Sequence, residues 1–335
     1  MALPEAGTEC PAPRPAPAAA PPVGVGDRAG APRASVIIPH LNHPGRLALC
    51  LAAVRAQALD HGWFEVIVVD NGSHTPLDDV RAAYPEVRFL VESTPGPGPA
   101  RNLGAAQARA PVLLFLDGDM CPAPGWLQAA VDAVEAAPGH PVGGDIRLAF
   151  ANPKRATALE AYEAVFSFRQ RRYIEKDGFA ATGSLAVARD LFFRIGPFAG
   201  IEAPEDMLWG RRARALGHPV RFCPRMLAFH PPQTEMAGIL ARWRRLVPQR
   251  YDGHLRAGGS RLGWCLYALA VLASLPLHAL KLLVSRRVPG LAGRLGGIAV
   301  LARVRWFRFA AMWRLSRAPA GPGPHGDVLS WNRNA

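Results

Sequence analysis

From residue 35 onward the chain alternates short, continuous apolar runs with stretches of helical spacing. Residues 35–39 (SVIIP), 64–69 (FEVIVV), 87–91 (VRFLV) and 112–116 (VLLFL) are rich in β-branched and aromatic side chains, which predicts buried strands. The intervening patterns predict helices over about 46–59, 77–83, 100–109 and 125–136. Pro95-Gly96-Pro97-Gly98-Pro99 predicts a loop without regular structure. Strands alternating with helices at this spacing predict an α/β fold with a largely parallel, doubly wound sheet. The second half is less regular. It suggests a strand over 142–150, a helix over 156–170 and a strand over 181–188. Asp190 is expected to cap a short turn through Ile195, and Pro204 to precede a helix over 205–216 that stops at Gly217.

Composition changes this picture at the two ends. Residues 1–33 are rich in Pro and Ala and poor in aromatics, so they are expected to be a disordered arm, with a second such tail at 318–335. The formal charge of +13 is unevenly placed: residues 236–317 carry 15 Lys and Arg against one acid, Asp252, and the remainder is close to neutral. The 5 cysteines are scattered, with no C-x-x-C pair, which speaks against a zinc cage or disulfide framework and for a reducing compartment. The first residues lack a basic stretch followed by an apolar one, so no signal peptide is expected, and the expected location is the cytoplasmic face of the cell membrane.

The candidate chemistry lies where the expected strands end. The fourth strand runs into Asp117-Gly118-Asp119, and in open α/β sheets ligands bind in the crevice beyond the carboxyl ends of the strands. Two carboxylates on a short loop suit Mg²⁺ or Mn²⁺, which keep several waters and take further ligands from substrate phosphates. An ordinary solvated turn is the other reading of the same residues. The first two strands end in Pro39-His40-Leu41-Asn42 and Asp70-Asn71-Gly72-Ser73.

These three strand ends, with Gly98-Pro99-Ala100-Arg101-Asn102-Leu103-Gly104 between them, resemble the nucleotide-sugar half of glycosyltransferase family 2, the GT-A fold. Thr182-Gly183-Ser184, Gly196-Pro197-Phe198 and Glu205-Asp206 resemble that family's acceptor side. The resemblance implies a GT-A domain over 34–232. It implies that Asp70, with Asn71 beside it and Pro39, His40 and Asn42 flanking, meets the nucleotide base. Arg101 would lie near the base or diphosphate, and Asp117 and Asp119 would hold the ribose and the metal-bridged diphosphate. Asp206 would be the general base, with Glu205 as the fallback, and His230 a further metal or diphosphate contact. The implied reaction is transfer of a sugar from a nucleoside-diphosphate sugar to a saccharide or lipid-linked hydroxyl, by single displacement with inversion. The chain departs from the family pattern at Ala199, where an acid commonly follows the Phe, and in Pro97 and Pro99, which stiffen the loop. It lacks the Gln-x-x-Arg-Trp motif of the processive synthases, which favours one sugar per encounter. A nucleotidyltransferase and a non-catalytic nucleotide-sugar binder are the alternatives.

Residues 233–317 are expected to form basic, apolar helices that associate with a membrane. Residues 262–284 are long enough to span a bilayer, but arginines crowd both flanks, which suits one side only. Helices lying in the interface, or a hairpin dipping into one leaflet, avoid that conflict and place Trp243, Trp264, Trp306 and Trp313 at headgroup level, against an anionic surface. The apolar content argues against nucleic acid as the partner of this charge.

Overall fold

A computed structural model describes residues 31–57, 63–201 and 204–317; most of the expected N-terminal arm and all of the expected tail lie outside the described residues. The chain forms two compact units, one taking in residues up to 147 and 169–230, the other 148–168 and the helices after 231.

The first unit is built on an eight-stranded sheet. Its strands are β1 (Ala34–His40), β2 (Phe64–Asp70), β3 (Arg88–Val91), β4 (Val112–Leu116), β5 (Cys121–Pro122), β6 (Val142–Leu148), β7 (Ser184–Ala188) and β8 (Arg221–His230), in the order β3-β2-β1-β4-β7-β6-β8-β5. The first four pair in parallel, as the alternation of apolar runs predicts, whereas β7 runs antiparallel to both β4 and β6, and β5 to β8. Around the sheet lie α1 (Pro44–Arg55), α2 (Asp78–Ala83), α3 (Pro97–Gln107) and α4 (Trp126–Ala136). The second unit supplies α5 (Ala158–Phe166), and the first resumes with the single turn α6 (Gln170–Arg172), α7 (Arg189–Ile195) and α8 (Glu205–Ala215). Because side chains alternate across a strand, Ile37, Ile67, Val69, Leu113, Phe115, Leu185 and Val187 share one face. There they bury against Ala100 and Ala105 of α3, Phe192 of α7 and Trp209 of α8.

Several sequence expectations need correction. The proline-rich stretch is not all loop, because α3 begins at Pro97. Prolines in the first turn of a helix give up only N–H groups that would have no intrahelical partner. The helix expected over 156–170 ends at Phe166, and Phe168, at φ +45°, turns the chain out of it. The strand expected from 181 begins at Ser184, since the Ala181 N–H and C=O are both engaged by the Gln170 side chain. Asp190 lies inside the first turn of α7, whose N-cap is Ala188. Strands β5 and β8 were not anticipated. Pro224 and the charged Arg221 and Arg225 interrupt the alternation of β8 and mask it as a strand.

At the opposite end of the strands from the acidic loops, a buried carboxylate ties the sheet to α3. Glu65 accepts from Ser35 Oγ (2.7 Å), Arg109 N (2.7 Å) and Arg88 Nη1 (3.1 Å). Burial pushes its carboxyl up, but these donors outweigh burial and hold it below the ordinary glutamate value. A depressed folded-state pKa gives stability that is present above the unfolded value and lost as pH falls through the folded one. Glu65→Gln is therefore expected to cost about 1–2 kcal/mol at pH 7 and to flatten the loss of stability on acidification below about pH 4.5, read by denaturant unfolding across pH.

The second unit adds α9 (Met236–Arg256), α10 (Arg261–Ala273), α11 (Leu275–Leu283) and α12 (Leu291–Arg317) to α5. Glycines let α12 approach α5 closely: a Cβ on Gly293 would lie 2.5 Å from the Ala156 carbonyl oxygen, and one on Gly297 3.0 Å from the Ala161 Cβ. Residues Arg261–Leu283 form one stretch long and apolar enough to cross a membrane, with a mean hydropathy of 1.7 and only 17% of its most apolar window buried.

Candidate active site

Parallel pairing sets the ends of β1, β2 and β4 side by side. His40 stands opposite Asp70, and the loop after β4 lies against β1, with a Cβ on Gly118 only 3.2 Å from the Pro39 carbonyl oxygen. The antiparallel pairing of β8 with β5, Phe229 opposite Cys121, carries His230 to the same loop. These pairings bring together most of the residues the sequence singles out.

Arg101 is at the centre. It is 3% exposed and donates through Nη2 to Asp117 Oδ1 (2.6 Å) and through Nη1 to Glu205 Oε1 (3.1 Å). Burial pulls its pKa down, yet the two carboxylates more than compensate and hold it above the ordinary arginine value. Gly183 lies against Asp117, where a Cβ would fall 2.8 Å from Oδ2, which accounts for the smallest residue in Thr182-Gly183-Ser184. Asp119 accepts from His230 Nε2 (3.2 Å) and has Arg46 Nη1 at 3.7 Å. Burial pushes its carboxyl up, but His230 and Arg46 outweigh that and keep it below the usual aspartate range.

Asp206 lies in the first turn of α8. One of its oxygens accepts from the Met207 N–H (2.7 Å). Burial, with neighbouring Glu205 adding to it, raises its carboxyl to about 7, against the opposing pull of the Met207 amide and Arg101. A base poised near the working pH combines the ionised form with real proton affinity. Glu205, expected as the fallback base, accepts from Arg101.

The turn at 196–199 holds α8 in place. Trp209 Nε1 donates to the Gly196 carbonyl (2.9 Å), and Arg212 donates to Gly196 and Pro197. Phe198 packs edge-on to Phe115 (5.2 Å between centroids) and beside Trp209. Asn102 of α3 exchanges two hydrogen bonds with the Phe198 backbone (2.9 and 3.0 Å). Such contact demands a glycine at 98, where a Cβ would fall 2.0 Å from the Ala199 carbonyl oxygen. Gly98→Ala is expected to lower stability by about 1–3 kcal/mol and to reduce turnover by displacing both α3 and the 198–199 turn, read by unfolding and by rate.

The remaining candidates sit around the ends of β1 and β2. Asp70 Oδ1 accepts from Ser73 N (3.2 Å) and Oγ (2.5 Å). Asn42, at φ +59°, accepts from His74 N (2.9 Å), and its own N–H donates to Ser73 Oγ (2.9 Å), so the two loops are laced together. Asn71 is buried, donating to the Glu92 and Thr94 carbonyls and accepting from Gly96 N (2.6 Å), which places it as a clamp on the 92–96 loop. His40 is 4% exposed and its Nε2 has no hydrogen-bond partner among the described residues. Burial drops its pKa to about 4, so the ring is neutral at pH 7. Sequence reasoning missed Arg46 beside Asp119, Asn102 at the turn, and Glu205 as a partner of Arg101. Position in the chain alone carries no signal for them.

Among the described residues no three His, Cys, Asp or Glu side chains form a ready metal cage. The pair Asp119–His230, with Asp117 on the same loop, still fits a Mg²⁺ or Mn²⁺ ion, since such ions take one or two protein carboxylates and complete their shell with phosphates and water.

A mixed sheet of four parallel strands continued by antiparallel ones, with acids at the ends of β2 and β4, defines a GT-A fold. The mannosyltransferase of Pyrobaculum calidifontis, solved with GDP-Man and Mn²⁺, shares it with a TM-score of 0.52 at 17% identity over 90% of this chain and 79% of that one. The Glycosyl transferase family 2 profile matches residues 35–200. Glycosyltransferase AglE of Haloferax volcanii is 32% identical over 206 residues, 60% of this chain and 67% of AglE. The pre-mycofactocin glycosyltransferase of Mycobacterium tuberculosis is 26% identical over 282 residues, 76% of this chain and 57% of that protein. The chain belongs to glycosyltransferase family 2, and is a glycosyltransferase. A nucleotidyltransferase is thereby set aside.

Proposed function

We propose that the protein moves a sugar from a nucleoside-diphosphate sugar onto a hydroxyl of a saccharide or lipid-linked saccharide, by single displacement with inversion, at the cytoplasmic face of a membrane. The observation that carries this reading is Asp206, raised to about 7, next to Glu205, which itself hydrogen-bonds Arg101 of the Arg101–Asp117 pair. In this reading Asp206 takes the proton of the acceptor hydroxyl as that oxygen attacks the anomeric carbon. Arg101 orients Asp117 and lends a fixed positive charge to the diphosphate side of the crevice. Asp119 and His230, with Asp117, would hold Mg²⁺ or Mn²⁺, which neutralises the charge that develops on the departing diphosphate. The neutral His40, whose Nε2 has no partner among the described residues, and Asp70 would face the nucleotide base, while Asn42, Asn71 and Pro39 would shape that end of the crevice.

The bound Mn²⁺ and GDP-Man of the Pyrobaculum enzyme support the donor class and the metal. The 15 basic residues of 236–317 and the exposed apolar stretch at 261–283 support an anionic membrane surface as partner. Purified protein incubated with a panel of nucleoside-diphosphate sugars, with Mn²⁺ and then with chelator, tests the reading. Release of nucleoside diphosphate from one donor, dependent on the metal, is the expected result. Proton NMR of the product reports the anomeric configuration, and retention would remove the single-displacement mechanism.

A further inference from the structure

The helical unit buries one cationic side chain, Arg308, that no acid pairs with among the described residues. Arg305 and Arg308 of α12 are 9% and 7% exposed, while residues 236–317 hold a single acid, Asp252. The two glutamates of α5 are already engaged: Glu160 closes a capping box with Thr157, and Glu163 pairs with Arg242 at 3.2 Å. Trp243 of α9 covers one face of the Arg308 guanidinium, with Cζ 3.8 Å from the ring centroid. A ring face does nothing for N–H bonds lying in the guanidinium plane, and the buried Nε of Arg308 has no hydrogen-bond acceptor among the described residues. Burial, with Arg305 and Arg250 adding to it, lowers the Arg308 pKa to about 10.

A guanidinium withdrawn from water with a donor unmet is costly, and an anion with several oxygens satisfies it best, since planar N–H pairs match phosphate geometry. The same unit exposes Leu262, Leu266 and Leu269 of α10 and Leu277 and Leu280 of α11, each between 45% and 70% exposed. A ligand that combines a phosphate with an apolar body fits both features. We propose that Arg308, with Trp243 behind it, binds the phosphate group of a membrane lipid. The inference rests on the membrane association proposed above and is independent of the donor crevice. It turns a diffuse attraction into a seated headgroup.

The test uses the full chain and phosphatidylcholine vesicles with and without phosphatidic acid. A single charge near a charged surface is worth about fivefold in partitioning, which is the loss expected for the exposed control Arg286→Gln. Arg308→Gln is expected to lose about 100-fold on the phosphatidic acid vesicles, and Arg308→Lys to recover only part of it, because an ammonium cannot present the planar fork. Short-chain phosphatidic acid should raise the melting temperature of the wild type and not of Arg308→Gln. Equal losses for Arg308→Gln and Arg286→Gln would overturn the site, leaving only diffuse charge. Equal stabilisation by inorganic phosphate would overturn the lipid as its ligand. Nucleoside diphosphate binding, measured on each variant, checks that the fold survives; if Arg308→Gln fails to fold, Arg308→Lys and the wild-type melting shift decide. Wild-type protein that ignores both vesicles would remove the membrane reading itself, and the headgroup site with it.

Discussion

Asp206→Asn is expected to lower the rate of sugar transfer about 10³-fold while leaving nucleoside diphosphate affinity nearly unchanged. The carboxylate is the group proposed to accept the acceptor's proton, and an amide of the same shape cannot. The wild-type rate should rise with pH to a plateau, with a limb near 7, because only the ionised form is a base and its carboxyl is raised to about 7. The same shift has a cost in stability. A carboxyl at about 7 in the folded state and near 3.8 unfolded makes the protein less stable as pH climbs between those values. Asp206→Asn lacks that penalty, so it should be more stable than the wild type, by a margin that grows from about pH 4 to about pH 7. A variant that is slower, tighter-folded and still able to bind the donor product separates a lost base from a damaged crevice.

Arg101→Met is expected to cost about 3 kcal/mol of stability and most of the activity. The side chain is 4% exposed and bridges Asp117 and Glu205, so its removal strands two carboxylates beside a third, Asp206. Arg101 is one of the groups that hold the Asp206 carboxyl down, so the pH limb of any residual activity should move upward from about 7. Arg101→Lys keeps the charge but has no fork to bridge both acids. It should recover stability more than rate. Urea unfolding and pH–rate profiles of the three proteins measure both effects.

The sequence is clear where local pattern and fold agree and silent where contacts are distant. The runs at 35–39, 64–69 and 112–116 are continuous apolar segments, and they became β1, β2 and β4. Asp70 ends β2, and the loop after β4 carries Asp117 and Asp119. Strand β8 was hidden because Pro224 and two arginines break its alternation, although its far end delivers His230 to Asp119. The Arg101–Glu205 bond joins residues 104 positions apart, so no periodicity could announce it. Gly98 was legible only as a turn residue. Its use, close passage beneath the Ala199 carbonyl, is a tertiary demand. The cluster at Arg308 was likewise readable only as charge, since the stacking on Trp243 is a helix–helix contact.

Asp119 and its partners are expected to grip a divalent cation that holds the diphosphate. Calorimetric titration of nucleoside diphosphates into the protein with Mn²⁺, and again with chelator, tests it most directly when repeated on Asp119→Asn. Affinity is expected to be at least about tenfold tighter with Mn²⁺ for the wild type, and that difference to be lost in Asp119→Asn. Equal affinity with and without Mn²⁺, or an Asp119→Asn protein that keeps the full metal effect, would contradict it.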